Sequence, residues 1–207
     1  MKLRAVIFDF GNVLCFPPTT RQLSDAAELC GLTLPEFVEA FWRERREYDR
    51  GTDAVAYWRD IAQATGRHFD DALIAELIRR EIDFWSRFDP RPFEWITELR
   101  QAGVRTGILS NLPRPLGERL RALPGFLDPF DQVTFSYELG FIKPEREIYE
   151  HALRGLGVTP EEALFIDDRE ENIEGARAVG LHTVLYTTWE EIGTEPLFVR
   201  LPSPHGV

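Results

Sequence analysis

The sequence predicts an α/β fold in which a Rossmann-like parallel sheet, with helices on both faces, carries an all-helical cap inserted after its first strand. Two observations lead to this prediction. Short apolar segments alternate with helical segments through the second half of the chain, which is typical of a parallel sheet covered on both faces. In addition, about 70 residues between the first two apolar segments contain only helical patterns.

Five apolar segments are predicted to be strands because each of them is too short to form a helix. They comprise residues 3–8, 105–109, 132–136, 163–166 and 182–186, of which residues 132–136 alternate least clearly. Helices are predicted where apolar residues recur at about one-turn spacing, over residues 94–102, 145–156 and 172–179. A glycine follows each of these three patterns and marks the expected end of the helix.

The cap is predicted from four helical segments, residues 21–30, 35–50, 52–65 and 70–88. The segment Asp89-Pro90-Arg91-Pro92 is expected to end the last of these helices and to extend the chain, because proline interrupts helices. We therefore expect residues 1–16 and 91–207 to form the Rossmann-like core and residues 17–90 to form the cap. The tail, residues 193–207, is rich in Pro and Gly and is expected to be irregular.

The length of 207 residues fits one compact unit, or a core with one insertion. A formal net charge of −11 argues against a nucleic-acid or anionic-membrane partner, because phosphate groups would be repelled over most of the surface. Two cysteines are too few for a disulfide framework, and no segment resembles a secretory signal or a membrane span. These observations predict a cytoplasmic protein. A monomeric or homodimeric state is expected.

Polar residues follow three of the predicted strands, at the edge where open parallel sheets bind ligands. In chain order they are Asp9, Ser110, Asn111, Asp167 and Asp168. Three carboxylates at one edge repel one another, and a divalent cation between them removes that cost. Asp oxygens together with a backbone carbonyl and water suit Mg²⁺, which keeps several of its waters. The sequence therefore predicts a magnesium site at this edge.

Lysine is rare in this chain, which has 22 Arg and only two Lys. One of the two, Lys143, precedes the predicted helix 145–156, and an ammonium near the carboxylates would serve an anionic substrate. Taken singly, each of these residues also has an ordinary structural interpretation, because aspartates cap helices or form turns and lysines carry surface charge. Their combination favours a phosphate-binding active site.

Four segments in chain order resemble the motifs of the haloacid dehalogenase-like hydrolase superfamily. They are Phe8-Asp9-Phe10-Gly11-Asn12-Val13-Leu14, Ile108-Leu109-Ser110-Asn111, Lys143-Pro144 and Phe165-Ile166-Asp167-Asp168. The resemblance extends from residue 3 to about residue 186, with room between the first two motifs for the helical cap that many members carry. Within the superfamily, the chain is most similar to bacterial sugar-phosphate phosphatases and to the phosphatase domain of soluble epoxide hydrolases.

The resemblance implies a phosphatase for small phosphorylated metabolites, with sugar phosphates as the first class to test. It implies that Asp9 attacks phosphorus to form an aspartyl-phosphate, and that Lys143, Ser110 and the Asn111 backbone amide bind the phosphoryl oxygens. Mg²⁺ is the implied cofactor. Its implied ligands are Asp9, the Gly11 carbonyl and Asp168, with help from Asp167.

Gly11 departs from the usual phosphatase pattern, in which a second aspartate two residues after the nucleophile acts as general acid and base. Such catalysis contributes about 10²–10⁴-fold in rate. A leaving group that needs little protonation, a metal-bound water or a cap side chain could take its place, and the sequence leaves these options open. Gly11 also keeps two other functions open: a metal-independent 2-haloacid dehalogenase, and a catalytically weak protein that binds phosphorylated ligands.

Substrate specificity is expected to come from the cap, because the core motifs contact only the phosphoryl group and the metal. The charged stretch 43–50 is predicted to be a solvated helix face, with Arg46 or Arg50 as the alternative candidates for substrate contact. Aromatic residues of the cap are expected to form its core rather than stacking platforms; they are Trp42, Trp58 and Trp85. Phe16 and Pro17 are expected to line the entrance.

Overall fold

The computed structural model of the chain describes residues 3–192 and 201–204. Its strands are β1 (Ala5–Phe8), β2 (Arg105–Ser110), β3 (Gln132–Phe135), β4 (Ala163–Asp167) and β5 (His182–Leu185). They form one parallel sheet in the order β3-β2-β1-β4-β5, which confirms the predicted fold class. Phe8 pairs with Ile108 on one side and with Ile166 on the other, so the residues after these three strands reach the same edge.

Eleven α-helices accompany the sheet in the described part of the chain. They are α1 (Thr20–Leu29), α2 (Leu34–Arg43), α3 (Arg45–Arg50), α4 (Ala54–Ala64), α5 (Asp71–Phe84), α6 (Pro90–Gln101), α7 (Arg114–Ala122), α8 (Ser136–Leu139), α9 (Arg146–Leu156), α10 (Glu170–Val179) and α11 (Trp189–Ile192). Within the described ranges, no helix has both the length and the apolar character needed to cross a membrane.

Both faces of the sheet are buried, as the continuous apolar sequence of β1 requires. Successive side chains of a strand point to opposite faces. Val6 and Phe8 accordingly pack into the larger apolar cluster with residues of α6, whereas Ala5 and Ile7 pack into a second cluster with residues of α9 and α10. The helices thus hold the sheet rigid on both sides and leave its carboxyl edge to form a site.

Helices α1 to α5 form an insertion between β1 and α6, and we call residues 17–90 the helical insertion. Its own core is aromatic, with Phe37, Phe41, Tyr57 and Trp58 all buried and in ring contact. Within these residues, all of which the structure describes, no strand is present. An isolated bridge between Cys15 and Phe88 brings the two ends of the insertion together beside the sheet.

Several predicted boundaries were wrong. The predicted helix 35–50 is two helices, because the backbone leaves the helical conformation at Glu44 (φ −99°, ψ 10°). The segment Asp89-Pro90-Arg91-Pro92 begins α6 instead of extending the chain. Asp89 caps this helix by accepting a hydrogen bond from the Arg91 backbone N–H, and Pro90 stands at the first position, where a missing N–H costs nothing.

The remaining differences concern short helices and the tail. The sequence did not predict α7, α8 or α11, all of which contain few apolar residues in a helical period. The expectation of an irregular tail concerns residues 193–207, and of these, residues 193–200 and 205–207 lie outside the described residues. Residues 201–204 are described and form a bend and a turn without regular structure.

Candidate active site

Three aspartates meet at the carboxyl edge of the sheet. Asp9 directly follows β1, Asp167 ends β4 and Asp168 comes next, and β1 and β4 are neighbouring strands. One carboxylate oxygen from each residue lies within 4.8 Å of the other two. The structure therefore brings together the three carboxylates that the sequence predicts to converge, at a spacing that one metal ion can bridge.

The ammonium group of Lys143 lies between two of these carboxylates. Its Nζ atom is 2.7 Å from Asp9 Oδ1 and 2.6 Å from Asp167 Oδ2, and it also donates to the Leu109 carbonyl at 3.1 Å. Burial alone would lower the pKa of Lys143, but the charges of Asp167 and Asp9 outweigh it and raise that pKa. Lys143, with 1% of its side chain exposed, is therefore a permanent buried cation.

Two asparagine side chains fix this arrangement. Asn111 exchanges two hydrogen bonds with the Lys143 backbone, donating to its carbonyl at 3.0 Å and accepting from its N–H at 2.8 Å. Asn172 donates to both oxygens of Asp167, at 3.0 and 3.1 Å, and the Arg169 backbone N–H donates to the same carboxylate at 2.8 Å. The positions of Lys143 and Asp167 are thus set by hydrogen bonds with three residues of the core.

Asn12 is a site residue to which the sequence assigned no role. It has a positive φ of 62°, a conformation that asparagine tolerates better than most residues. This turn aims its side chain at Asp168, and its Nδ2 donates to Asp168 Oδ2 at 2.6 Å. The signal available in the sequence was its place after Gly11 in a tight turn, where Asn is a common residue.

The electrostatics of the aspartate cluster fit a cation. Burial raises the pKa of Asp9 to about 7; Lys143 opposes this shift, while the charges of Asp167 and Asp168 add to it. The pKa of Asp168 is also raised, mainly by burial and against the hydrogen bond from Asn12. One lysine thus does not neutralise three carboxylates, and a divalent ion with oxygen preference would complete the charge balance.

A cavity of about 100 Å³ adjoins this cluster. From the core it is lined by six of the predicted site residues, namely Asp9, Gly11, Ser110, Asn111, Lys143 and Asp168. Asp167 is not part of the lining, because it is fully buried beneath Lys143. The helical insertion contributes Trp42, Arg45, Asp49 and Trp85 to the same cavity. Core and insertion therefore enclose one small polar space beside the aspartates.

A family model for haloacid dehalogenase-like hydrolases matches residues 3–180 of the chain. The chain belongs to this family. It is therefore a hydrolase on a haloacid dehalogenase-like fold, as the four sequence motifs predicted. The matched range includes the whole aspartate cluster together with the helical insertion.

Several curated relatives of similar length are phosphatases. The chain is 29% identical over 191 residues to the sesquiterpene phosphatase astK of Aspergillus oryzae, covering 86% of this chain and 87% of that protein. It is 29% identical to the ribulose-1,5-bisphosphate 5-phosphatase of Halopiger xanaduensis, covering 90% and 86% of the two chains. A phosphoserine phosphatase of Thermus thermophilus is 28% identical, with 77% and 66% covered.

Solved structures confirm the fold. The haloacid dehalogenase-family enzyme bt-2542 of Bacteroides thetaiotaomicron, solved with magnesium and inorganic phosphate, superposes with a TM-score of 0.73 at 22% identity, covering 89% of this chain and 94% of that one. The L-2-haloacid dehalogenase of Xanthobacter autotrophicus has a TM-score of 0.64 at 22% identity, with 96% and 86% covered.

The insertion departs from its predicted role at several positions. Of the three tryptophans expected in its core, only Trp58 is fully buried there, whereas Trp42 is 44% exposed and lines the cavity with Trp85. Neither Arg46 nor Arg50 lines the cavity. The stretch 43–50 instead places the buried Arg45 and Asp49 there, which corrects its interpretation as a solvated face.

Arg45 belongs to a buried ion-pair network rather than to a free anion site. Its guanidinium donates to Asp49 Oδ1 and to Glu81 Oε1, each at 2.7 Å, and Tyr48 donates its hydroxyl to the other oxygen of Glu81 at 3.0 Å. Burial raises the pKa of Glu81 to about 7, although the charge of Arg45 opposes this shift. Two carboxylates therefore share a single cation beside the cavity.

Phe16 and Pro17 line a second, larger groove of about 550 Å³. This groove shares Asn12 and Asp168 with the small cavity, so the two spaces meet at the acidic cluster. Phe16 is 40% exposed at its mouth. These two residues line the adjoining groove and not the small cavity, so their place at the entrance of the active site stays a prediction.

Proposed function

We propose that this hydrolase is a magnesium-dependent phosphatase that cleaves small phosphorylated metabolites through an aspartyl-phosphate on Asp9. The observation that carries the proposal is the convergence of Asp9, Asp168 and the buried Lys143 on one small cavity. A carboxylate nucleophile, a fixed cation and a metal-binding group are the components that phosphoryl transfer needs, because its transition state is stabilised mainly by positioning and charge.

Asp9 is assigned as the nucleophile. Its carboxylate lines the cavity at the end of the central strand, and the ion pair with Lys143 favours its ionised form. Lys143 also supplies positive charge to the phosphoryl oxygens. Ser110 and the Asn111 backbone amide, at the end of the neighbouring strand β2, are assigned to bind the same oxygens. Attack by Asp9 and loss of the leaving group then occur in line across the phosphorus atom.

Asp9, the Gly11 carbonyl and Asp168 are the residues that would hold Mg²⁺, and Asp167 lies within reach through one oxygen. When bound, the metal supplies positive charge that offsets repulsion between the carboxylate and the phosphate ester. Asn12 orients Asp168 for this task through its short hydrogen bond. Asp167 has a second function, since it also holds the ammonium group of Lys143 in place.

The substrate class is inferred from the cavity and from the relatives. A volume of about 100 Å³ accepts a phosphoryl group with a small leaving group. Three of the relatives are named as phosphatases of small metabolites. They are the ribulose-1,5-bisphosphate 5-phosphatase, the phosphoserine phosphatase and a glyceraldehyde 3-phosphate phosphatase of Methanopyrus kandleri. Sugar phosphates, beginning with hexose phosphates, are the first compounds to screen, with residues 17–90 acting as the cap. A cytoplasmic location and a monomeric or homodimeric state stay predictions.

Phosphate release from p-nitrophenyl phosphate, with and without Mg²⁺, tests the proposal. We expect turnover that requires Mg²⁺ and that falls by at least three orders of magnitude in Asp9→Asn. Asp60→Asn, which alters an exposed aspartate of α4, is the matched control and retains full activity. Halide release from a 2-haloacid without metal would assign the chain to the dehalogenase branch. Phosphate binding without turnover would make it a ligand-binding protein.

A further inference from the structure

We propose that Asp49, on α3 of the helical insertion, is the general acid and base of the phosphatase reaction. This inference rests on the proposed function and assigns the group that Gly11 leaves missing. Asp49 would protonate the leaving oxygen of the substrate and then activate the water that hydrolyses the aspartyl-phosphate.

The core offers no side chain for this task at position 11. A Cβ atom built on Gly11 would lie 3.4 Å from Cζ3 of Trp85, so the indole ring is in van der Waals contact with this position. Trp85 follows α5 and belongs to the insertion. The insertion therefore directly adjoins the position at which the core lacks a carboxyl group.

Asp49 lines the cavity that also contains Asp9, Ser110 and Lys143. Its side chain is 11% exposed. It is held firmly in place: its Oδ1 accepts from Arg45 at 2.7 Å, and its backbone carbonyl accepts a hydrogen bond from the Ser136 hydroxyl at the start of α8. A carboxyl group fixed to both the insertion and the core can face the leaving group at a constant position.

The surroundings of Asp49 favour a carboxyl group that can carry a proton. Burial raises the pKa of Asp49, while Arg45 opposes this shift and Arg169 and Lys143 of the core oppose it less. The guanidinium of Arg45 is shared with Glu81, so it neutralises Asp49 only in part. The other titratable groups of this network are Tyr48 and Tyr57, which stay protonated because burial raises the pKa of both phenols.

The two half-reactions balance with Asp49 as the only proton carrier. As an oxygen of Asp9 bonds to phosphorus, the bond from phosphorus to the ester oxygen breaks. The electron pair stays on that oxygen, which takes the proton from Asp49 and leaves as an alcohol. The Asp49 carboxylate then accepts a proton from water while the water oxygen attacks phosphorus. The bond to Asp9 breaks, its electron pair returns to the Asp9 carboxylate, and phosphate is released.

Two aryl phosphates of nearly equal shape test this assignment. p-Nitrophenolate leaves without a proton, whereas phenolate, which resembles a tyrosine side chain with a pKa of about 10, needs one. In Asp49→Asn with Mg²⁺, kcat/KM for phenyl phosphate should fall by about 10²-fold or more, while kcat/KM for p-nitrophenyl phosphate stays within about threefold of the wild-type value. The same variant should release a burst of p-nitrophenol, because hydrolysis of the aspartyl-phosphate loses its base.

Asp60→Asn is the matched control. Asp60 is an exposed aspartate of the insertion that does not line the cavity, so the same substitution there should leave the ratio of the two kcat/KM values unaltered. Equal loss with both substrates in Asp49→Asn, or no loss with either, would overturn the assignment while leaving the phosphatase function intact. A wild-type protein inactive on both substrates would instead refute the phosphatase proposal, and this assignment with it.

A measurement on the wild-type protein tests the assignment even if the Asp49→Asn variant does not fold. A wild-type enzyme with a bound general acid should turn over the two aryl phosphates with kcat/KM values within about tenfold of each other. A preference for p-nitrophenyl phosphate of more than about 10²-fold would show that no acid assists the leaving group, and would reject Asp49 without any substitution.

Discussion

The side chain of Lys143 illustrates why one residue type cannot be exchanged for another of equal charge. Its ammonium reaches three oxygens, from Asp9, Asp167 and Leu109, inside a volume from which solvent is almost excluded. It also lies 5.4 Å from the ring centroid of Phe165. Arginine has a planar fork of donors instead of a compact charge, and it does not fit three acceptors grouped around one point.

We therefore predict that Lys143→Arg loses at least 99% of kcat/KM although the charge is kept. The guanidinium would displace Asp9 or Asp167 from its present position, and misplacement of a reacting group by about 1 Å can cost 10²-fold in rate. Steady-state kinetics with p-nitrophenyl phosphate provides the measurement. Near-normal turnover would show that the site needs only a positive charge at this place. Arg4→Lys, an exchange at an exposed ion pair, should change nothing.

The raised pKa of Asp9 predicts how metal binding depends on pH. Between the ordinary pKa of 3.8 and the folded-state value of about 7, Asp9 keeps a proton in the folded protein that the unfolded chain has lost. Its contribution therefore stabilises the metal-free fold at low pH and is lost as the pH rises through this window. Below pH 7, Mg²⁺ must displace that proton. The affinity of the protein for Mg²⁺ should therefore fall by up to about tenfold for each unit by which the pH is lowered below 7.

Thermal unfolding with and without Mg²⁺ measures this linkage. We expect the increase in Tm on adding Mg²⁺ to be large at pH 8 and small at pH 5.5. In Asp9→Asn the remaining increase should depend much less on pH. An increase that is equally large at both pH values in the wild-type protein would contradict protonation of Asp9 in this range.

Residues at strand ends could be located from the sequence, and residues contributed by the insertion could not. The register of parallel strands places Asp9, Ser110 and Asp167 at one edge once the strands are recognised, because the carboxyl ends of parallel strands lie at the same edge of a sheet. Asp49 and Trp85 reach the cavity only through the docking of the insertion on the core. No local period in the sequence encodes that docking, so their place had to come from the structure.

At the scale of single elements, α10 packs closely against the loop that contains Lys143. A Cβ atom built on Gly175 would lie 2.6 Å from Cβ of Pro144 and 2.8 Å from its backbone oxygen, both too close for the present geometry. The hydroxyl of Tyr149 is 3.0 Å away on the other side. The absence of a side chain at this helical position is what allows α10 to approach the residue after Lys143.

Gly175→Ala should thus impair both stability and catalysis. Overpacking of this kind costs about 1–3 kcal/mol, and relief of the contact would move Pro144 and with it Lys143. We expect a lower Tm together with a loss of kcat of about tenfold or more. Glu174→Ala, on an exposed face of the same helix, serves as the control and should keep both values. A stable and fully active Gly175→Ala protein would show that the loop yields without moving the ammonium group.

Local signals also explain which element boundaries could be predicted. Positive-φ glycines end α9 and α10 at Gly157 and Gly180, where the sequence placed the ends of these helices. The start of α6 was predicted wrongly because an Asp-Pro pair is compatible with two structures. Proline ends a preceding helix, but an aspartate cap followed by proline also begins the next helix. Only the packing of α6 on the sheet decides between these two readings.

At the scale of the whole molecule, one ion pair ties the helical insertion to the core. Arg50, the last residue of α3, donates to both carboxylate oxygens of Glu145 at 2.9 and 2.7 Å, and to the Gly140 carbonyl at 3.0 Å. Glu145 stands two residues after Lys143, directly before α9. Hydrogen bonding to Arg50 is the main reason that the pKa of Glu145 is lowered. This bidentate pair therefore links the insertion to the segment that holds Lys143.

We predict that breaking this pair loosens the insertion without unfolding it. Both side chains are 31% exposed, and partly exposed pairs of this kind contribute about 0.2–1 kcal/mol, equivalent to at most about fivefold in an equilibrium constant. In Arg50→Met, KM for p-nitrophenyl phosphate should therefore rise up to about fivefold while Tm changes by a few degrees at most. Hydrogen exchange in α3 should become faster, since this helix loses its ion pair with the core loop.

A double-mutant cycle with Glu145→Gln checks that the effect belongs to the pair. The double variant should raise KM no further than either single variant, because each substitution already removes the same interaction. High salt should raise KM of the wild-type protein toward the same value, as screening weakens a partly exposed pair. Arg79→Met, which breaks ion pairs within α5 alone, is the matched control and should leave KM unchanged. Additive effects of Arg50→Met and Glu145→Gln would mean that the two residues act on the insertion independently.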